Sequence, residues 1–229
     1  MRIVFVRHGH PDYKLDNLTE LGHLHAKAAA ERLKEETFAR IFSSTHGRAI
    51  ETAEHIAAGR DLPIESFDFM REVRWGAIEG ELDEPKCGYP WAVVTDMVSK
   101  GQDLMCPDWM ERGRFANNSV KFLVENIGIE FDRLLEKLGY VREGLYYRVT
   151  RKNDDTVAMV SHGGSSSAAI AHLLNLPFPF FCEAIRMNFT GITILKLSGE
   201  EGTLISPRVE ILNDCRHIQG VTTEVVYGV

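Results

Sequence analysis

The chain has 229 residues, with 26 Lys and Arg against 33 Asp and Glu, a net charge of −7. That balance excludes a general nucleic-acid binder, whose affinity would need a basic face, but allows an anionic substrate at a local arginine pocket. A hydrophobic content of 44% and a charged content of 26% are globular values, and the length suits one domain that needs no disulfide or metal staple.

Ile3-Val4-Phe5-Val6 reads as a strand buried on both faces, as in a parallel sheet. No basic region followed by a long apolar stretch marks a signal peptide, and no run is long enough for a membrane span. Thr19 is placed to cap a helix to about Glu36, with Leu21, Leu24 and Ala28 on its apolar face. Ala39 to Ser43 reads as a second strand and Gly47 to Ala58 as the next helix. Thr156 to Val160 is a third strand and Gly163 to Asn175 another helix. Gly191 to Leu197 and Thr203 to Leu212 read as two further strands. Strand and helix in alternation predict an α/β fold with a mostly parallel sheet.

Residues 82–118 break the rhythm with Pro85, Pro90, Pro107, Trp91 and Trp109, and read as a small cap insertion in a single domain spanning 1–229. A long helix is expected over about 119–138. Val120, Leu123, Val124, Ile127, Phe131, Leu134 and Leu138 form its core stripe, and Gly139 ends it. Cys87, Cys106, Cys182 and Cys215 form no C-x-x-C pair. With no leader, they point to a reducing, cytoplasmic location.

The chemistry-bearing residues follow strands. Arg7-His8-Gly9 follows the first, Ser43-Ser44 and then Arg48 the second, and Ser161-His162-Gly163-Gly164 the third. Ligands of open α/β sheets bind at the carboxyl ends of strands, so two histidines and two arginines are expected at one crevice. Neutral imidazole is a nucleophile, and guanidinium matches phosphate oxygens two at a time. Helix-opening glycines let an anion approach backbone N–H groups. Together they suit phosphoryl transfer, with Glu72 or Glu79 as the acid for a leaving alkoxide.

These motifs resemble the histidine phosphatase superfamily, the phosphoglycerate mutase-like family. Arg7-His8-Gly9 is similar to its opening motif, and Leu18-Thr19-Glu20-Leu21-Gly22 to its L-T-x-x-G helix start. Ser43-Ser44, Arg48-Ala49 and Thr52-Ala53 fit S-S-x-x-x-R-A-x-x-T-A in register. Glu72, Gly76 and Glu79-Gly80 resemble its acid-bearing loop, and Ser161-His162-Gly163-Gly164 its second histidine motif. The resemblance implies a three-layer α/β/α sheet fold of the phosphoglycerate mutase type. It makes His8 the nucleophile, with Arg7, Arg48 and His162 on the phosphoryl group and Glu72 as proton donor. Gly9, Lys14, Ser161 and Gly163 are the expected phosphate-side contacts. The implied reaction is hydrolysis of a small-molecule phosphate monoester, with no cofactor and no metal.

His10-Pro11 stands where the family often has Glu or Gln, Lys14 where it often has Asn, and Thr45-His46-Gly47 where Pro and Leu are usual. Only nine residues separate Gly9 from Thr19, where mutases carry more. These departures favour a phosphatase over a phosphoglycerate mutase. A non-catalytic phospholigand-binding protein is the rival outside enzymes, and a symmetric homodimer is the default assembly. His8-x-His10 and His23-x-His25 have no supporting ligands at metal spacing. The substrate has no readable code.

Overall fold

In the computed structural model, residues 1–80 and 90–221 are described. Strand β1 (Arg2–Arg7) is buried along nearly its whole length, and alternation along it separates two cores. Ile3 and Phe5 face one side with Phe42, Val157 and Met159. Val4 and Val6 face the other with Ile41, Ala158 and Val160. A strand buried on both faces must have helices on both faces, which is why its sequence is a continuous apolar run.

After β1 come a short hairpin of β2 (Pro11–Asp12) and β3 (Asn17–Leu18), helix α1 (Glu20–Arg32), β4 (Phe38–Ser44), α2 (Gly47–Ala57) and β5 (Ile64–Phe67). Then follow α3 (Pro90–Ser99), α4 (Gly113–Ala116), α5 (Val120–Lys137), β6 (Tyr140–Glu143), β7 (Tyr146–Val149) and β8 (Thr156–Ser161). The chain continues through α6 (Gly163–Leu174), α7 (Phe178–Ala184), β9 (Ile192–Lys196), β10 (Leu204–Ile205) and β11 (Arg208–Asp214). The main sheet has the order β11-β9-β1-β8-β4-β5. Strands β1, β8, β4 and β5 run parallel, while β9 and β11 are antiparallel additions. Helix α2 packs on the Val4 side, and α3, α5, α6 and α7 contribute to the core on the Phe5 side. The α/β expectation holds, as a mixed sheet flanked by helices. None of the described helices is long and apolar enough to cross a membrane.

Local expectations fail where packing overrides pattern. Helix α1 does start at a Thr19 cap, whose hydroxyl accepts the Gly22 N–H, but it ends at Arg32. Its buried face is Gly22, His25, Ala26 and Ala29, and Leu24 is half exposed. The reason is close approach: a Cβ on Gly22 would lie 2.1 Å from the His10 carbonyl oxygen, so the helix lies against backbone through its small side. Thr203 to Leu212 is not one strand. Ser206-Pro207 separates β10, which pairs with β7 in a small second sheet, from β11 on the main sheet. Helix α5 runs as expected and Gly139 follows it at φ +100°, but Leu123 points outward.

The stretch expected as a cap begins in 82–89, outside the described residues. Its later part carries α3 and α4, and Val93, Val94, Met97, Trp109 and Phe115 join the Phe5-side core. Phe5 itself stacks on Phe131 of α5, ring centres 5.5 Å apart. Phe5→Ala removes that contact from a fully buried position, so it should destabilise the fold by about 3–5 kcal/mol in urea unfolding. A loss under about 1 kcal/mol would mean that the sheet and α5 do not share one core.

Candidate active site

Parallel register brings the chemistry together. β1 and β8 align Arg7 with Ser161, and the His8 N–H donates to the Ser161 carbonyl at 2.9 Å. β4 lies on the other side of β8 and ends at Ser44. His8, His162 and Ser44 therefore leave three adjacent strands at one edge of the sheet. The His8 and His162 rings meet edge to face, centres 5.1 Å apart.

The His8 tautomer follows from its partners. Nδ1 lies 2.7 Å from the Gly9 carbonyl oxygen, which can only accept, so Nδ1 carries the proton. Nε2 then holds the lone pair, and the Arg48 Nε–H donates toward it at 3.3 Å. Burial pushes the His8 pKa well below the ordinary imidazole value, and Arg7 and Arg48 push the same way. His162 is lowered likewise, by burial first and then by His8 and Arg48. Its Nε2 lies 2.8 Å from Ser44 Oγ, and its buried Nδ1 has no protein partner.

The two arginines are held by different devices. Arg7 donates Nη1 to the Met187 carbonyl at 2.6 Å and stacks its guanidinium over Phe189. Its buried Nε has no protein partner. Arg48, on the first turn of α2, donates Nη1 to Asp16 Oδ1. Asp16 Oδ2 also accepts His46 Nδ1 at 2.9 Å and the Gly47 N–H at 3.1 Å. Burial raises the Asp16 carboxyl, but these donors outweigh it and hold the pKa below the ordinary value. The Arg48 guanidinium also lies 5.4 Å from the centre of the Tyr13 ring.

Glu72 faces the N-terminus of α6. Its Oε1 accepts the N–H groups of Val73 at 3.0 Å and Ser165 at 3.1 Å. Burial raises its pKa, against the pull of Arg7 and the two amides. Gly164 makes the approach feasible: a Cβ there would lie 2.6 Å from Glu72 Oε1 and 2.3 Å from Val73 Cγ2. Glu79 is placed differently. Its backbone is clamped by the Asn117 amide, and its side chain is exposed.

Arg7, His8, Arg48, Glu72 and His162 are thus brought to one place, with Gly163 beside Arg7. The other expected contacts are not free to serve in the same way. Ser161 Oγ, at the end of β8, is hydrogen-bonded to Ser166 Oγ of α6 at 2.6 Å. The Gly9 N–H is taken by Thr52 Oγ1 at 3.1 Å. Lys14 lies exposed at the hairpin tip. Sequence reasoning missed Asp16, which lies 32 residues from its partner Arg48. It also missed Tyr13 as a neighbour of the site. The left-handed φ of Asp16, +56°, is a backbone signal that no sequence motif carries.

The model of the histidine phosphatase superfamily (branch 1) matches residues 3–97 and 107–209. The chain belongs to this family. It is 26% identical over 230 residues to the 2,3-bisphosphoglycerate-dependent phosphoglycerate mutase of Corynebacterium diphtheriae, covering 90% of this chain and 89% of that one. The fold is shared with a phosphoserine phosphatase from Entamoeba histolytica in complex with 3-phosphoglyceric acid, at a TM-score of 0.63 and 21% identity over 95% of this chain and 98% of that one. It is also shared with the α-ribazole phosphatase of Shigella flexneri, at 0.61 and 19% over 94% and 97%. Members of this superfamily are phosphatases and mutases.

Two imidazoles that are neutral when buried bind protons only once the chain unfolds. Their folded pKa values lie below the unfolded value of about 6.5, so each removes stability as pH falls below it, by up to about 1.4 kcal/mol per pH unit. Urea unfolding at pH 7 and pH 5 should show a smaller acid loss in the His8→Gln/His162→Gln variant than in wild type. An equal loss would place both imidazoles in water.

Proposed function

We propose that the chain hydrolyses a phosphate monoester through a phosphohistidine on His8. The observation that carries this reading is the fixed His8 tautomer. The Gly9 carbonyl holds the proton on Nδ1, so the nucleophilic lone pair sits on Nε2, beside Arg48 and facing the His162 ring. The phosphoryl group would bind there, against Arg7 and Arg48. The unpartnered Arg7 Nε and His162 Nδ1 supply further polar groups at the same place.

In the first step His8 Nε2 attacks phosphorus, the bond to the leaving oxygen breaks, and Glu72 gives that oxygen a proton. Both backbone donors to Glu72 fall on Oε1, which leaves Oε2 for the proton, and burial favours the protonated form at the start. In the second step the Glu72 carboxylate takes a proton from water, the resulting oxygen attacks phosphorus, and the P–N bond breaks. His8 returns neutral and Glu72 protonated. Positively charged and N–H groups hold the phosphoryl oxygens throughout, so positioning and charge stabilisation supply most of the rate. The roles assigned to these residues need no metal or cofactor.

A mutase reading is favoured by the Corynebacterium relative. It differs in one requirement: a bisphosphate must prime His8, and the phosphoryl group must return to the alcohol before water reaches it. The tight hairpin between Gly9 and Thr19 supports the hydrolytic outcome. Cytoplasmic work on a small-molecule ester fits the cysteine usage and the net charge.

His8→Ala should lower hydrolysis of p-nitrophenyl phosphate by at least about a thousandfold in the presence of EDTA. Glu72→Gln should lower kcat on an alkyl phosphate by about 10²–10⁴-fold. It should do much less to p-nitrophenyl phosphate, whose leaving group needs no proton. Full activity of His8→Ala would contradict the reading. Isomerisation of 3-phosphoglycerate that outpaces phosphate release, once a bisphosphate primer is added, would transfer it to the mutase class.

A further inference from the structure

The hairpin of β2 and β3 brings one aromatic side chain to both arginines of the site. Tyr13 stands in its turn. The Asp12 carboxylate accepts the N–H groups of Lys14 at 2.9 Å and Leu15 at 3.1 Å, which closes the turn around Tyr13. Further along, Asp16 is clamped by Arg48, His46 and the Gly47 N–H, and the Leu18 N–H donates to Glu51 at 2.7 Å. The hairpin is thus tied to α2, and Tyr13 is held over the site before any ligand arrives.

The Tyr13 side chain touches both cations. The Arg48 guanidinium carbon lies 5.4 Å from the centre of its ring, within cation–π reach. Burial pushes the Arg7 pKa down, while Tyr13, hydrogen-bonded to that guanidinium through its hydroxyl, and Glu72 push it back up. Both arginines are buried and Tyr13 is 59% exposed, so the phenol covers them from the solvent side. A guanidinium carries donors and no acceptor, so in the pair with Arg7 the phenol oxygen must accept. That bond uses a lone pair of the oxygen and not the phenol proton. The species that two guanidiniums attract between them is an anion, and the oxygens of a phosphoryl group are acceptors.

We propose that Tyr13 is a further catalytic residue, whose hydroxyl donates to an oxygen of the phosphoryl group held between Arg7 and Arg48. This rests on the phosphatase reading. The role is confined to the transferred group: the hydroxyl holds a non-bridging oxygen through both steps and keeps its own proton. The leaving oxygen is served by Glu72.

Tyr13→Phe removes the hydroxyl, keeps the ring over Arg48, and at so exposed a position should leave the melting temperature unchanged. A lost hydrogen bond to a charged group predicts a fall in kcat/KM of about 10–100-fold. The fall should be alike for p-nitrophenyl phosphate and an alkyl phosphate, because both present the same phosphoryl group. Calorimetry should show weaker binding of inorganic phosphate to the same variant. 3-Fluorotyrosine at position 13, a stronger donor and a weaker acceptor, should bind phosphate at pH 6 at least as tightly as wild type. Weaker binding there would reduce the hydroxyl to a prop for Arg7 and overturn the proposal. So would an unchanged kcat/KM in Tyr13→Phe, or a loss confined to the alkyl phosphate. Tighter phosphate binding by Tyr13→Phe would make the side chain an obstruction and overturn it too. Each of these outcomes is read while His8-dependent hydrolysis stands. Loss of His8 dependence would instead overturn the phosphatase reading, and the phosphate calorimetry, which needs no turnover, would still report on Tyr13.

Discussion

Two guanidiniums and two imidazoles are packed at one edge of the sheet, nearly out of water, and that desolvation governs the rest of the site. Arg7 and Arg48 are 4% and 6% exposed, and His8 and His162 no more than 1%. Burial next to cations drives both imidazoles to the neutral form. The same cations need anions nearby, and Asp16 and Glu72 answer that need unequally. Asp16 is held ionised by three donors and fixes Arg48. Glu72 sits in a drier place and is pushed toward its protonated form. A carboxylate that stays charged and a carboxyl that can carry a proton suit different jobs, and the difference arises from environment alone.

The framework that supports this arrangement is ordinary α/β construction. Three parallel strands end side by side, and each delivers one element of the cluster. Helices α2 and α6 then start at the site, so their N-terminal N–H groups face it. Gly164 lets the Glu72 loop come within contact of α6.

Much of this was legible in the sequence because buried parallel strands are short apolar runs and the reactive residues follow them directly. Arg7, His8, Arg48 and His162 were found that way, Glu72 came from its resemblance to an acid-bearing loop, and the five meet in the structure. The choice of Glu72 over Glu79 is supported by geometry, since the Glu79 side chain stays exposed. What was not legible depends on contacts distant in sequence. Asp16 reaches Arg48 through a hairpin with a left-handed residue, and no local pattern announces it. The Ser161 hydroxyl and the Gly9 N–H looked available but are satisfied by Ser166 and Thr52. Leu24 and Leu123 sit on apolar stripes by spacing, yet both are exposed, because close backbone packing of α1 and an open cleft beside α5 decide burial there. The strand expected from Thr203 to Leu212 was broken by a proline whose effect on sheet membership could not be read in advance.

The central claim is that His8 Nε2 becomes covalently phosphorylated during turnover. The direct measurement is a rapid alkaline quench of enzyme mixed with a ³²P-labelled phosphate monoester, followed by peptide mapping. A phosphorus–nitrogen bond survives base and is lost in acid. The account predicts transient label on the peptide that contains His8, stable to alkali, labile to acid and absent from His8→Ala. Turnover by wild type with no covalent label at any time, or label on a residue other than His8, would contradict it.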